Sequence, residues 1–172
     1  AAGPDKLKRA RARMRGAAAG ACRRAGHTGT GVAEVMKEAG LTHGGFYAHF
    51  DSREKMVASA IDHAGTQSAL NLRLSMAVLE KKGRSPFRAL VESYLSVAHM
   101  AAVESGCVVA ALGSEIPRQT DEVRRAASDR ANALIRQVES VLPANAERGR
   151  AAQIARARVG ARTLARALGG RG

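Results

Sequence analysis

Residues 31–50 have the sequence GVAEVMKEAGLTHGGFYAHF, and this stretch decides the fold of the N-terminal part of the chain. The apolar residues of its first half recur at helical spacing, at Val32, Val35, Met36 and Ala39. Gly40 ends this short helix, and Thr42 is a suitable cap for a second helix predicted over residues 43–50. The order helix, glycine, apolar residue, cap and helix is typical of a helix-turn-helix.

The segments on either side are also predicted to be helical. Apolar residues recur every three or four positions over residues 5–25, and Gly26 follows Arg23 and Arg24 as expected at a helix end. Residues 51–54 match a capping box, although Ser52 is an alternative cap, and a long helix is expected from there to about residue 82. Further helical segments are predicted over residues 87–102, 107–112, 120–142 and 146–168.

The whole pattern predicts an all-α protein of about nine helices. An N-terminal three-helix head is expected over residues 1–52, followed by a helical ligand-binding and dimerisation domain over residues 53–172. Few β-branched residues and only 4 prolines favour helices throughout the 172-residue chain.

The charge distribution favours a polyanionic partner. The formal net charge is +13, and residues 1–55 carry 11 basic and 5 acidic side chains, whereas residues 56–145 carry 10 and 9. The 2 cysteines, Cys22 and Cys107, are too far apart in sequence to suggest a disulfide framework or a zinc site, so no metal or cofactor is expected. No stretch has the length and apolarity of a membrane span, and we expect a cytoplasmic protein without membrane contact.

Three of the five aromatic residues, Phe46, Tyr47 and Phe50, fall within five positions of one another. Phe46 and Phe50 are expected to fill the core of the head, while Tyr47 points its hydroxyl at a phosphate. A plain aromatic core turn is the alternative. Gly44 and Gly45 favour the DNA-binding interpretation, because glycine disfavours a helix interior but lets the backbone approach DNA closely.

The sequence of residues 31–56, GVAEVMKEAGLTHGGFYAHFDSREKM, resembles the DNA-binding head of TetR-type repressors, and the resemblance extends over about residues 5–60. It implies that Thr28 or Thr30, Thr42 and Tyr47 contact phosphates, and that His43, Gly44 and Gly45 approach base edges. Arg53 matches a basic phosphate-binding position. His49 either contacts DNA, packs under Tyr47 or caps the helix.

The resemblance also implies a repressor that binds a near-palindromic double-stranded DNA operator as a homodimer and is released by a small-molecule inducer. Candidate ligand-binding residues in the body are Met76, Phe87, Leu90, Tyr94, Met100 and Cys107. The segment GCVVAALGSEI, residues 106–116, resembles a motif in one subgroup of these repressors. Some members of that subgroup sense electrophiles or oxidants through a cysteine at this position; the alternative for Cys107 is a small buried core residue.

Two other function classes compete with this interpretation. An enzyme would need Cys107, His99 and Glu104 as nucleophile, base and orienting group, but no motif supports the three, and we expect no enzymatic activity. A non-specific binder of RNA or of a membrane surface would use the arginine-rich ends, and its binding would be lost steeply with salt.

Overall fold

The computed structural model describes residues 3–169, which form eight α-helices, two short 3-10 helices and the loops between them. The head contains α1 (Pro4–Ala25), α2 (Val32–Glu38) and the first 3-10 helix (His43–Ala48). The body contains α3 (Arg53–Lys81), α4 (Pro86–Tyr94), α5 (Val97–Ala101), α6 (Val108–Leu112), the second 3-10 helix (Ile116–Arg118), α7 (Asp121–Glu139) and α8 (Arg150–Ala167). The predicted all-α fold is confirmed, with a helix count close to that expected.

Serine side chains set the starts of three body helices. The Ser52 hydroxyl accepts a hydrogen bond from the Lys55 amide at 3.1 Å, so Ser52 is the cap of α3. Ser85 caps α4 in the same way, and Ser96 caps α5 by accepting from the His99 amide at 3.1 Å. The single helix predicted over residues 87–102 was therefore wrong, because Ser96 starts a new helix after α4 has ended at Tyr94.

The second helix of the helix-turn-helix also differs from the prediction. It is a 3-10 helix that ends at Ala48, two residues earlier than expected. Gly44 and Gly45 lie inside it, and each weakens the α-helical preference of this segment by about 1 kcal/mol relative to alanine. The Phe50 amide donates to the Phe46 carbonyl at 3.1 Å, so a hydrogen-bonded turn connects the last part of the 3-10 helix to Phe50.

Two clusters of buried side chains hold the molecule together. The first cluster lies under α1, α2 and the first 3-10 helix, and it continues into the body through Ile61 of α3, Leu112 of α6 and Val123 of α7. The second cluster lies between α3, α4, α6, α7 and α8, with Leu90 and Tyr94 as its largest fully buried members. The head therefore shares a hydrophobic core with the body, although α3 begins near the predicted domain boundary.

None of the helices within residues 3–169 combines the length and the apolar character that crossing a membrane requires.

Candidate DNA-binding surface and effector cavity

The first 3-10 helix has one buried face and one exposed face. Phe46 and Phe50 are 1% and 3% exposed, and their rings stack with centroids 6.1 Å apart. The Arg11 guanidinium carbon lies 4.8 Å from the centre of the Phe50 ring. Tyr47 packs edge-on against Phe46 but is 74% exposed, so its side chain projects from the surface of the head.

No close contact within the protein requires glycine at either of the two glycine positions of this helix. A Cβ atom added at Gly44 has no heavy atom within 4 Å, and one added at Gly45 lies 3.6 Å from the Thr42 hydroxyl. Neither glycine has a positive φ angle. Because nothing inside the chain requires glycine here, the open space on this face is available to a surface that approaches from outside.

The predicted DNA-binding residues lie around this exposed face. Thr28, Thr42, His43 and Gly44 are exposed, whereas Gly45 and His49 are half-buried, with His49 at the C-terminal cap position. The side chain of Thr30 is fully buried, and its hydroxyl donates to the Gly26 carbonyl at 2.8 Å. Of the two threonines offered for a phosphate before α2, the structure leaves Thr28 exposed and commits Thr30 to the core.

Arg53 is engaged within the chain. Its guanidinium donates to the backbone carbonyls of Thr30, at 3.0 Å, and of His27, and also pairs with Glu54. These contacts hold the loop between α1 and α2 against the start of α3. Burial and the neighbouring Arg53 lower the pKa of His27. The sequence offered Arg53 as a phosphate contact, and the structure adds this positioning of the loop, which the sequence pattern did not indicate.

A cavity of about 730 Å³ lies in the body between α3, the end of α4, α6 and α7. Three of the six candidate ligand residues line it, namely Met76, Tyr94 and Cys107. The other three do not: Leu90 is buried in the second core cluster, Phe87 is 36% exposed at the start of α4, and Met100 lies outside the wall. A separate groove of about 720 Å³ runs along α6 and α7, and none of the six candidates lines it.

Two buried arginines of α8 contact residues that line this cavity. Arg158 and Arg162 are 4% and 0% exposed, one turn apart on the face that also buries Ala151 and Ala155. The Arg158 guanidinium stacks over the Tyr94 ring, 4.6 Å from its centroid, and Arg162 donates to the backbone carbonyls of His99 and Ala102. Burial lowers the pKa of both guanidinium groups.

Sequence reasoning missed these two arginines. Their signal was present, because Ala151, Ala155, Arg158 and Arg162 follow one another at spacings of four, three and four residues, which is a single helical face. The arginine content of α8 concealed it, since six similar side chains between residues 148 and 166 offered no way to tell a buried arginine from a solvated one.

One connecting segment, residues 99–107, touches both the cavity and the head. His99 and Cys107 line the cavity, while the Glu104 carbonyl accepts from Arg23 at 2.7 Å and the Glu104 carboxylate pairs with Arg24 at 2.6 Å. Arg23 is buried and also donates to the Ala64 carbonyl of α3 at 2.6 Å. The end of α1 is thereby fastened to the same segment that forms part of the cavity wall.

The residues of the enzyme alternative do not assemble into a triad. His99 and Cys107 both line the cavity, and the His99 ring Nδ1 lies 2.6 Å from the Tyr94 carbonyl oxygen. Glu104 faces the head instead, where it pairs with Arg24. The orienting carboxylate that such a mechanism needs is therefore engaged elsewhere.

Comparison with known proteins supports the helix-turn-helix interpretation. Residues 16–60 match the family model described as bacterial regulatory proteins, tetR family. The whole fold is similar to the reduced form of NemR from E. coli, with a TM-score of 0.73 and 19% identity over 92% of this chain and 88% of that one. It is also similar to a TetR transcriptional regulator from Chloroflexus aurantiacus, with a TM-score of 0.78 and 22% identity over 95% and 87% of the two chains.

None of the curated proteins matches this sequence. The resemblance to TetR-type regulators is nonetheless confirmed, since the head matches the family model and the chain has the fold of the two solved structures. The match supports a DNA-binding transcriptional regulator.

Proposed function

We propose that this protein is a ligand-responsive repressor, which binds a near-palindromic operator as a homodimer and leaves it when a small molecule occupies the cavity. The head, residues 1–52, contacts DNA, and the body, residues 53–172, binds the ligand and the second subunit. The observation that carries the proposal is the two-faced 3-10 helix, in which Phe46 and Phe50 are anchored in the core while Tyr47 and its neighbours are exposed.

On this proposal the exposed face enters the major groove. Thr28, Thr42 and the Tyr47 hydroxyl contact phosphates, and His43 with the two glycines approaches the base edges. His49 is a further candidate contact, and Arg53 supports the surface by holding the loop before α2. Since few side chains on this face offer hydrogen bonds to bases, sequence preference depends also on half-site spacing and on DNA shape.

We propose that α7 and α8 pair with their copies in the second subunit as a four-helix bundle. Leu164 and Leu168, near the end of α8, are 62% and 57% exposed, and a second subunit would cover them. A two-fold dimer would place the two copies of the first 3-10 helix, the recognition helix of this proposal, about 34 to 36 Å apart, which is one helical turn of DNA. The operator is then expected to be a near-palindrome with half-sites at that spacing.

Residues 99–107 are the proposed route from the cavity to the head. A ligand that displaces His99 or Cys107 acts on a segment that Arg23 and Arg24 hold against α1. A ligand releases DNA only if it binds the DNA-free conformation more tightly than the DNA-bound one. Cys107 takes part as a residue of the cavity wall, where an electrophile that enters the cavity would meet its thiol.

Selection of bound fragments from random DNA tests the proposal. The wild-type protein is compared with Gly44→Glu, which adds a carboxylate to the recognition face at a position with space for a side chain. Ala77→Glu is the matched control, since it adds the same charge at an exposed position of α3 in the body.

We expect the wild type and Ala77→Glu to enrich one near-palindromic sequence, and Gly44→Glu to enrich none. Circular dichroism melting establishes that all three proteins are folded. Equal enrichment by Gly44→Glu would show that another surface binds DNA.

A further inference from the structure

Arg158 and Arg162 are buried cations without acidic partners. Within residues 3–169, every ion pair involves other basic side chains, and no carboxylate lies within 4 Å of either guanidinium. Arg158 leaves its Nε and Nη1 atoms without a hydrogen-bond partner, and Arg162 leaves its Nε. A buried charge is costly unless it is paired, so the folded chain carries an uncompensated positive charge here.

This charge adjoins the cavity. The Arg158 guanidinium lies over Tyr94 and donates through Nη2 to the Leu134 carbonyl and to the Gln137 amide oxygen, both at 3.1 Å. Tyr94, Leu134 and Gln137 all line the cavity. The Tyr94 hydroxyl is itself buried without a partner among the described residues. The Arg158 guanidinium therefore lies directly behind one part of the wall, where the Gln137 amide oxygen is the one wall side-chain atom that accepts from it.

The residues that line the cavity add positive charge to that of Arg158. Its ionisable residues include three arginines, Arg73, Arg130 and Arg136, and no aspartate or glutamate of the described chain. Arg130 is paired with Asp62 at 3.3 Å. Apolar side chains such as Leu72, Met76 and Val109 make up much of the remaining lining. The cavity thus offers apolar surface together with Arg73 and Arg136, which form no ion pair within residues 3–169.

We propose that the effector is an organic anion with an apolar body, whose acidic oxygens replace the Gln137 amide oxygen as acceptors of the Arg158 guanidinium behind the wall. This inference rests on the proposed function, because it names the class of molecule that the regulatory cavity binds. A guanidinium presents parallel donors that match the oxygens of a carboxylate or sulfonate. The apolar body occupies the surface formed by α3, α6 and α7.

A matched pair of fluorescent probes tests the proposal directly. 8-Anilinonaphthalene-1-sulfonate and N-phenyl-1-naphthylamine differ in the sulfonate group, and both fluoresce on entering apolar sites. Each is titrated into the wild-type protein and into Arg158→Met and Arg158→Lys. Arg156→Met is the control, since Arg156 is an exposed residue of the same helix. Decanoate and decanol are then compared as competitors.

We expect the wild type to bind the sulfonate probe at least about tenfold more tightly than the neutral probe, as one charge-assisted hydrogen-bond pair gives. Arg158→Met should abolish this preference while keeping affinity for the neutral probe, Arg158→Lys should retain part of it, and Arg156→Met should keep all of it. Decanoate should displace the sulfonate probe, and decanol should do so at least tenfold less well.

Two results would overturn the anion site: equal affinity of the wild type for both probes, or an unchanged preference in Arg158→Met.

DNA binding by the same preparations separates this inference from the proposed function. If the anion preference depends on Arg158 but the protein has no specific DNA site, the cavity inference stands and the repressor proposal fails. If specific DNA binding is present and the preference is missing, the anion inference alone fails.

Discussion

Phe46 and Tyr47 are adjacent aromatic residues, and their replacement by alanine should have opposite consequences. Phe46 is 1% exposed and contacts both Tyr47 and Phe50, so Phe46→Ala removes a buried ring from the core of the head. Such a truncation costs about 3–5 kcal/mol. For a chain of this size, 1 kcal/mol shifts Tm by about 2–4 °C, so Tm should fall by roughly 10 °C.

Tyr47→Ala should leave stability almost unchanged and weaken DNA binding. With 74% of the residue exposed, its truncation should change the free energy of unfolding by about 0.5 kcal/mol or less. If the hydroxyl donates to a phosphate, the loss of a hydrogen bond to a charged group costs about 1.5–3 kcal/mol, which corresponds to a decrease in affinity of about tenfold to a hundredfold.

The two assays are calorimetric or circular dichroism melting and fluorescence anisotropy with a labelled operator. Tyr47→Phe is the finer variant, since it removes only the hydroxyl and should give most of the loss in affinity. The proposed role of Tyr47 on the DNA-binding surface is wrong if Tyr47→Ala lowers Tm by as much as Phe46→Ala, or if it binds operator as tightly as the wild type.

Three further predictions concern the body and the pH response. Arg158→Met should raise the Tm of the ligand-free protein, because even buried ion pairs, when replaced by apolar side chains of similar volume, often give a stabilisation of about 1–4 kcal/mol, and Arg158 has no acidic partner among the described residues. A lower Tm in differential scanning calorimetry would contradict this. Gly106→Ala should destabilise the protein by about 1–3 kcal/mol in urea unfolding, because the added Cβ lies 2.6 Å from the Ala102 carbonyl oxygen and overlaps Arg162. Gly160→Ala, which has open space around it, should be neutral or stabilising. Equal effects of the two substitutions would show that close packing at Gly106 is not the cause. Burial lowers the pKa of His27, His63 and His99 in the folded protein, so the unfolded chain binds more protons as the pH drops below about 6.5. The free energy of unfolding should therefore fall over this range. Unfolding midpoints that are constant from pH 7 to pH 5 would disprove this.

The sequence predicted the helix-turn-helix well because its signals are local. Gly40 and Thr42 mark the turn, and the aromatic cluster around Phe46 marks the face that packs inward. The type and end of the second helix were harder to predict, since the two glycines weaken the α-helical preference without naming the alternative. The start of a helix at a serine cap, such as Ser96, was likewise hard to predict, because the apolar pattern continues across it.

The cavity was predicted less well because it depends on contacts between distant segments. Met76, Tyr94 and Cys107 come from three different parts of the chain and were found by their apolar or soft character. Arg158 and Arg162 lie in the part of the chain expected to bind the ligand and the second subunit, and only tertiary packing shows that they are buried. Thr30 and Thr28 illustrate the same limit, since two threonines two residues apart differ completely in exposure.

Measuring DNA affinity as a function of salt concentration separates a sequence-specific regulator from a non-specific polyanion binder. The selected operator and a scrambled duplex of equal length are compared at several salt concentrations. A sequence-specific regulator should bind the operator about a thousandfold or more tightly than the scrambled duplex, and this preference should persist as salt rises. Equal affinity for both duplexes, with the same steep loss in salt, would contradict it.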